Sequence, residues 1–552
     1  MDEVGIVLAM LLAVVASGYL VRILPFALPL PLVQIALGAA ISGTTGHGVR
    51  LEPHIFFLLF LPPLLFLDGW RIPKVGLFRD RSTILELALG LVLFTVIGAG
   101  FLIHWLIPSL PLAVSFALAA ILAPTDPVAV SSIAARVPIP PRLMHILEGE
   151  SLLNDASGLV CFRFAVAAAL TGTFSLGEAT LTFLWVALAG IAIGVGLTVA
   201  VSWAQRLLAA RIGEESGSPI LVNLLLPFGA YLAAEHVQAS GILAAVAAGI
   251  TMSYVELSGR ALATTRVRRA VVWDTVQFAL NGIMFVLLGE QLPAIFHAAL
   301  SAPELPAAHD VWWLLGNALA ISVGLILLRF IWVWVSLRLT LLAARRQQQA
   351  VYRPNPRLIL ATSLAGVRGA ITLAGVLTLP LALPGGAPFP GRDLVIFLAS
   401  AVIVVSLVLA SVGLPRVLRG LELPAEAAHE SEEDGARHAA ALAALEAIAA
   451  APPPPPSPGC DLEGAAEMHA SAADQVRSLY QYRLDGWSGN AGGAGIAPAR
   501  ARAAESAERH YRLAALEQER AVLLRMARHN QLSDEIARKL LREIDLVEAR
   551  YR

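Results

Sequence analysis

The sequence predicts an all-α polytopic membrane protein of about 13 transmembrane helices, with inverted repeats, two crossing broken helices and a helical cytoplasmic tail. Three observations carry that prediction. Of 552 residues, 57% are hydrophobic and only 15% charged, whereas a soluble chain carries about a quarter charged residues. The apolar runs repeatedly reach the roughly 20 residues that a bilayer requires. Basic loops alternate with neutral or acidic ones along the chain.

The apolar segments fall at 4–23, 26–42, 54–70, 82–107, 112–135, 142–170, 178–208, 219–236, 240–257, 270–293, 312–342, 357–383 and 393–417. The first lacks a basic n-region and a small-residue cleavage site, so it is expected to be a retained span. Arg71, Lys74, Arg79 and Arg81 follow the third segment, and Arg136 and Arg142 the fifth; the loops after the fourth and sixth have no Lys or Arg. Arg260, Arg266, Arg268 and Arg269 follow the ninth, and Arg345, Arg346, Arg353 and Arg357 the eleventh. The positive-inside rule then places the N-terminus outside and the C-terminus in the cytoplasm. A missed or invented span would break the alternation. The net charge of −1 speaks against a nucleic-acid partner. Cys161 and Cys460 are too few for a disulfide framework.

The division expected is a membrane domain over 1–420 and a cytoplasmic helical tail over 421–552. In the tail, Glu426 to Asp434 is acidic, Ala439 to Ala451 suits a short helix, and 452–458 is a stiff Pro-rich linker. A Gly-rich break at Gly489 to Gly495 precedes a charged helix from about 499. Ser533 before Asp534 and Glu535 reads as the N-cap of a last helix. Leu513, Leu516, Val522, Leu523, Leu540, Leu541, Ile544 and Val547 suit amphipathic helices packing on each other.

Polar groups inside the apolar segments carry the functional signal. A charged side chain at mid-bilayer costs roughly 2.5–3.5 kcal/mol on insertion scales, so each implies a partner, a water-filled cavity or an ion path. In the fifth segment, Pro124 and Pro127 bracket Thr125-Asp126. Proline removes a backbone donor and clashes with the preceding turn, which predicts an unwound helix with free carbonyls and amides. A plain kink with Asp126 bonded to a neighbour is the alternative. The sixth segment carries Glu150 and Asn154 at i and i+4, and Ser151 and Asp155 likewise, on one broad face. Hard monovalent cations want oxygen ligands, and a lone buried carboxylate takes either a cation or a proton. A polar cluster that merely joins helices is the competing reading.

Arg329, midway along the eleventh segment, needs a counter-ion, and Glu150 or Asp155 can supply it. Arg368 lies in the glycine-interrupted stretch Gly366-Val367-Arg368-Gly369, which invites the same unwinding as at Asp126. By the loop charges the fifth and twelfth segments run in opposite directions. Two interrupted helices of opposite direction point to an inverted-repeat transporter with its site at their crossing. Segments four to six and eleven to thirteen would form the two halves. Asp68 closes the third segment, where it lines a cation funnel or simply sits at the interface. Asp274, Gln277 and Asn281 share a face of the tenth, either bordering the pathway or sealing two helices. Glu290 and Arg163 read as snorkelling or paired residues.

Together these pieces resemble the monovalent cation/proton antiporter-1 family of sodium/proton exchangers. The matching residues are Phe60-Leu61-Pro62-Pro63 leading to Asp68, Thr125-Asp126-Pro127, Glu150-Ser151 with Asn154-Asp155, and Gly366-Val367-Arg368-Gly369-Ala370. The resemblance implies a dimeric sodium/proton antiporter without a cofactor, with a mobile core domain, in a bacterial inner membrane. It implies that Asp155 binds Na⁺ and H⁺ in turn. Na⁺ would sit at Asp155, Thr125 and Ser151, with Asn154 and Asp126 shaping the site, Glu150 paired to Arg329, and Asp68 and Arg368 in support. Asn154 beside Asp155, where electrogenic relatives have two acids, implies one proton per cation. Asp68 departs from the family pattern, where many members have Glu. The nearest rival function is K⁺/H⁺ exchange on the same fold; a cation channel or ion sensor is a second.

Overall fold

The computed structural model describes residues 3–23, 28–45, 53–72, 84–126, 130, 141–172, 176–212, 217–257, 263–300, 311–346, 356–384, 386–419, 427–451, 462–488, 496–529 and 534–551. The linker at 452–458, the Gly-rich break and Ser533 lie outside these residues. The described chain divides into two compact units, Met1–Leu421 and Glu422–Arg552.

In the first unit the helices are α1 (Glu3–Ile23), α2 (Leu30–Thr45), α3 (Pro53–Arg71), α4 (Glu86–Leu106), α5 (Leu112–Leu122), α6 (Pro141–Thr171) and α7 (Leu176–Ile212). They continue as α8 (Ser218–His236), α9 (Gly241–Leu257), α10 (Ala263–Leu300), α11 (Val311–Arg346), α12 (Pro356–Leu364), α13 (Ala370–Leu377) and α14 (Arg392–Leu418). Each apolar segment of the sequence overlaps one of these helices, the twelfth the pair α12 and α13; of the fifth, α5 covers Leu112–Leu122, and 127–129 and 131–135 lie outside the described residues. Eight of them (α1, α4, α6, α7, α8, α10, α11 and α14) are long and apolar enough to cross a membrane by length and composition. Their surfaces expose large apolar side chains such as Leu12, Trp105, Leu188 and Trp312. In water that would be a liability, but against lipid it carries no penalty.

Two helix groups can be distinguished by packing. One joins α1, α2, α3, α7, α8, α9 and α10; the other joins α4, α5, α6, α11, α12, α13 and α14. In the first group glycine sets the crossings. Gly38 and Gly289 lie against the backbones of α10 and α2 in turn, Gly249 against Phe66 of α3, and Gly194 against Ala244 of α9, so that an added Cβ would meet main chain. Close backbone approach through small residues replaces the hydrophobic drive that a membrane interior lacks. Trp273, fully buried, stacks on Phe66 at 5.4 Å and donates its indole N–H to Asn223 (2.6 Å).

The second group buries the apolar runs Ala117–Leu122 of α5 and Leu394–Ala399 of α14 in one core. The first turns of α4, Glu86–Leu91, are π-helical. The Ala88 carbonyl within them accepts a hydrogen bond from Ser157 of α6 (2.7 Å), and such π turns often mark functional helices.

The second unit holds α15 (Ala427–Ala450), α16 (Leu462–Ser488), α17 (Ile496–Arg528) and α18 (Asp534–Tyr551). The helix expected at 439–451 starts twelve residues earlier, through the acidic run, and α16 is not anticipated by the sequence reading. Consecutive tail helices pack on each other: α15 on α16, α16 on α17, and α17 on α18. Arg520 bridges the last pair through Asp545 (2.7 Å) and Glu548. Leu516, Val522, Leu523, Leu540, Ile544 and Val547 line the apolar groove between those two helices.

Candidate ion-binding site

The site forms where two helices break. Helix α5 ends at Leu122, and residues 124–126 have no regular structure. Pro124 cannot donate a helical hydrogen bond, and Pro127 disfavours the helical region for Asp126. Between α12 and α13, residues 366–369 are likewise unwound. The groups freed at one break are satisfied by the other. The Asp126 amide donates to the Val367 carbonyl (2.7 Å), and Arg368 Nε donates to the Leu122 carbonyl (2.9 Å). Arg368 also reaches the Gly366 carbonyl, while its amide donates to Ser406 Oγ of α14 (3.1 Å). These bonds across and around the breaks help irregular backbone exist at this depth. Arg368, buried, thus acts as a pin between the two breaks.

Helix α6 runs past this crossing and presents Glu150, Ser151, Asn154 and Asp155, all buried. Glu150 takes Arg329 in a bidentate pair, Oε1 to Nη1 at 2.5 Å and Oε2 to Nη2 at 2.7 Å. Arg329 Nε donates to the Thr362 carbonyl of α12 (2.9 Å). Of the two counter-ions open to Arg329 in the sequence, the structure selects Glu150. The Thr125 hydroxyl donates to Glu150 Oε1 (3.4 Å) and accepts from Asn154 Nδ2 (3.1 Å). The ion pair and the α5 break are therefore joined through one hydroxyl. Asn154 Oδ1 is buried with no hydrogen-bond partner among the described residues.

Asp155 stands apart from this network. It is 4% exposed and makes no hydrogen bond or ion pair with a described residue. Its side chain lines a cavity of about 40 Å³ together with Asp68, Thr125, Asp126, Ser151 and Thr372. A cavity of more than about 10–15 Å³ holds a water, so this one has room for a small ion and part of its hydration shell. Gly369 closes one side, and a Cβ there would run into the Asp126 carboxyl group. The cavity offers three carboxylates and three hydroxyl side chains, which is oxygen chemistry suited to a hard cation.

The structure thus brings Asp68, Thr125, Asp126, Ser151 and Asp155 to one cavity, with Asn154, Glu150, Arg329 and Arg368 in the hydrogen-bonded frame around it. Gln277 and Asn281 of α10 also line the cavity, while Asp274 and Gln277 bind Arg71 of α3. The i, i+3, i+7 spacing of those three therefore serves both of its alternatives at once. Glu290 is buried and accepts from Gln291 (2.9 Å), and Arg163 pairs with Glu235 at 3.4 Å on the surface. Sequence reasoning missed Thr372, Ser406 and the Ser157–Ala88 bond. A lone Ser or Thr in an apolar helix usually bonds back to its own turn and gives no signal.

Comparison with known proteins bears on the family and the fold. The model of the transmembrane sodium/hydrogen exchanger family matches residues 8–420. The uncharacterized Na(+)/H(+) exchanger YjcE of Escherichia coli (strain K12) is 41% identical over 548 residues, 98% of this chain and 98% of that protein. The sodium, potassium, lithium and rubidium/H(+) antiporter of Bacillus subtilis (strain 168) is 42% identical over 428 residues, 75% of this chain and 61% of that protein. Among solved structures, the sodium proton antiporter MjNhaP1 from Methanocaldococcus jannaschii at pH 8 matches with a TM-score of 0.54 at 19% identity. That match covers 76% of this chain and 99% of the other, and at such identity it speaks for the fold.

Proposed function

The chain belongs to the sodium/hydrogen exchanger family, and from that premise we propose that it exchanges Na⁺ for H⁺ at the Asp155 carboxylate by alternating access. The observation that carries the proposal is Asp155 itself: buried, without a hydrogen-bond or ion-pair partner among the described residues, and facing a small cavity shared with Asp68, Thr125, Asp126 and Ser151 at the contact of two broken helices. A carboxylate so placed must be balanced by a cation or a proton, because an unpaired charge in a low-dielectric interior is costly. Na⁺ and H⁺ exclude each other there, so each crossing carries one or the other and the two gradients set the direction.

In this reading Na⁺ is held by Asp155, by Ser151 and by Thr125. The Thr125 hydroxyl already serves Asn154 and Glu150, so its main-chain oxygen is the one assigned to the ion. Asn154 and Asp126 shape the site, and Asp68 lies on the approach. Glu150 is neutralised by Arg329 and carries no exchange chemistry, which leaves one titrating acid on this face of α6 and an electroneutral stoichiometry. The group of α4–α6 and α11–α14 would be the moving core, and the other group the scaffold and homodimer face. Topology follows the loop charges, with the N-terminus outside and the C-terminus in the cytoplasm of a bacterial inner membrane.

Proteoliposomes with a trapped pH dye test this. Adding Na⁺ or Li⁺ should dequench the dye, at a rate unchanged by an imposed voltage. Asp155→Asn should abolish dequenching while the protein still purifies folded. Exchange retained by Asp155→Asn, or current that persists without a proton gradient, would sink the proposal. K⁺ belongs in the same assay, because the 42%-identical relative is named for sodium, potassium, lithium and rubidium together. Dequenching by K⁺ equal to that by Na⁺ would make the broader selectivity the better description.

A further inference from the structure

One charged cluster has no part in the exchange scheme above. Arg71, in the last turn of α3, donates from Nη2 to Asp274 Oδ1 (2.5 Å) and from Nη1 to Gln277 Oε1 (2.8 Å). Both partners stand on one face of α10. Gln277 is also part of the cavity wall, and so is Asp68, one turn before Arg71 on α3. Exposure rises outward along this line: Asp155 is 4% exposed, whereas the side chains of Arg71 and Asp274 are 40% and 65% exposed. The pair therefore sits on the solvent side of the cavity, in contact with its lining through Gln277.

We propose that Arg71 is a tethered cation at the mouth of this cavity, competing with entering monovalent cations for the oxygens of Asp274 and Gln277. The chemistry is that of like for like. A guanidinium and a partly hydrated Na⁺ both seek carboxylate and amide oxygens, and Arg presents its fork to two acceptors at once. The pair is exposed and so opens at little cost, which allows exchange of one cation for the other. While closed, it cancels an acid that would otherwise raise the local concentration of cations. Arg71 thereby sets apparent affinity without touching the Asp155 chemistry. This rests on the antiport reading.

A plain clip between α3 and α10 would make a different prediction. Removing either end of a clip loosens the same contact and moves any kinetic constant the same way. A competing cation gives opposite signs. Arg71→Gln and Arg71→Ala leave Asp274 uncompensated and should lower the KM for Na⁺. Asp274→Asn leaves Arg71 uncompensated and should raise it. From the size of a screened charge interaction near a surface, each change is expected to be about two- to fivefold at low ionic strength. Both should shrink as salt is added.

The experiment measures Na⁺-dependent dequenching in proteoliposomes of the full chain, with KM and maximal rate determined at low and high ionic strength and thermal unfolding followed in parallel. The expected result is KM shifts of opposite sign, salt-sensitive, with the maximal rate near wild type and Arg71→Lys close to wild type in both constants. Shifts of the same sign, shifts insensitive to salt, or no shift would overturn the inference. A wild-type protein that gives no Na⁺-dependent dequenching at all would instead overturn the antiport reading beneath it.

Discussion

The amide of Asp126 donates to the carbonyl of Val367 at 2.7 Å, so that two interrupted helices close each other's broken backbone. Arg368 adds a second tie in the reverse sense, from the α12–α13 break to the Leu122 carbonyl at the end of α5. Neither break is satisfied alone. The site's framework is therefore a joint property of both, and a change at one should be felt at the other.

Gly369 lets the breaks come together. Its backbone is extended, at φ −127° and ψ −153°, so alanine would be tolerated on conformational grounds. The obstacle is space, because a Cβ would overlap the Asp126 carboxyl group. Gly369→Ala should lower the exchange rate by roughly tenfold to a hundredfold, the usual consequence of displacing a site group by about 1 Å. Initial rates in proteoliposomes, set beside a thermal unfolding curve, check this; a normal rate would mean that Asp126 can shift freely.

The Glu150–Arg329 pair is expected to govern stability. Both side chains are buried and the pair is bidentate, with Thr125 and the Thr362 carbonyl taking further bonds. Arg329→Ala strands a buried acid, and breaking a buried pair from one side costs about 3–5 kcal/mol. Replacing both residues by neutral ones of similar size should cost less than either single change. Thermal unfolding in detergent measures all three, and a fully stable Arg329→Ala would show that the acid finds another partner.

Competition at one carboxylate fixes the sign of the pH dependence. Protons and Na⁺ exclude each other at Asp155, so acid should raise the apparent KM for Na⁺ and alkali should lower it. Where the carboxyl is mostly protonated, the change should approach about tenfold per pH unit, since proton activity changes by that factor. It should level off once the group is ionised. Measuring KM at several pH values decides the matter: a constant KM with a titrating maximal rate would place the proton elsewhere.

Much of this was legible in the chain. The apolar runs fall on helices because a bilayer leaves every backbone group to be satisfied within its own helix, so length and hydropathy suffice to read them. Pro124, Pro127 and the glycines around Arg368 announced the breaks, since each removes something a helix needs. The clustered acids and amides of α6 were conspicuous because a membrane tolerates them only with a purpose. In the tail such constraints are absent. There α16 gives no such signal, and α15 starts twelve residues before the helix expected at 439–451, through the acidic run.

By itself the sequence determined which residues are polar where lipid would reject them, and which helices must break. Only the tertiary structure decided who meets whom. Glu150 and Asp155 were equal candidates for Arg329 by sequence; they differ by five positions, which puts them on different parts of the α6 face. Packing of α11 and α12 against that helix gives Glu150 both guanidinium nitrogens and leaves Asp155 facing the cavity. Charge complementarity acts through space and at short range, so a choice between two acids five positions apart on one helix belongs to the fold.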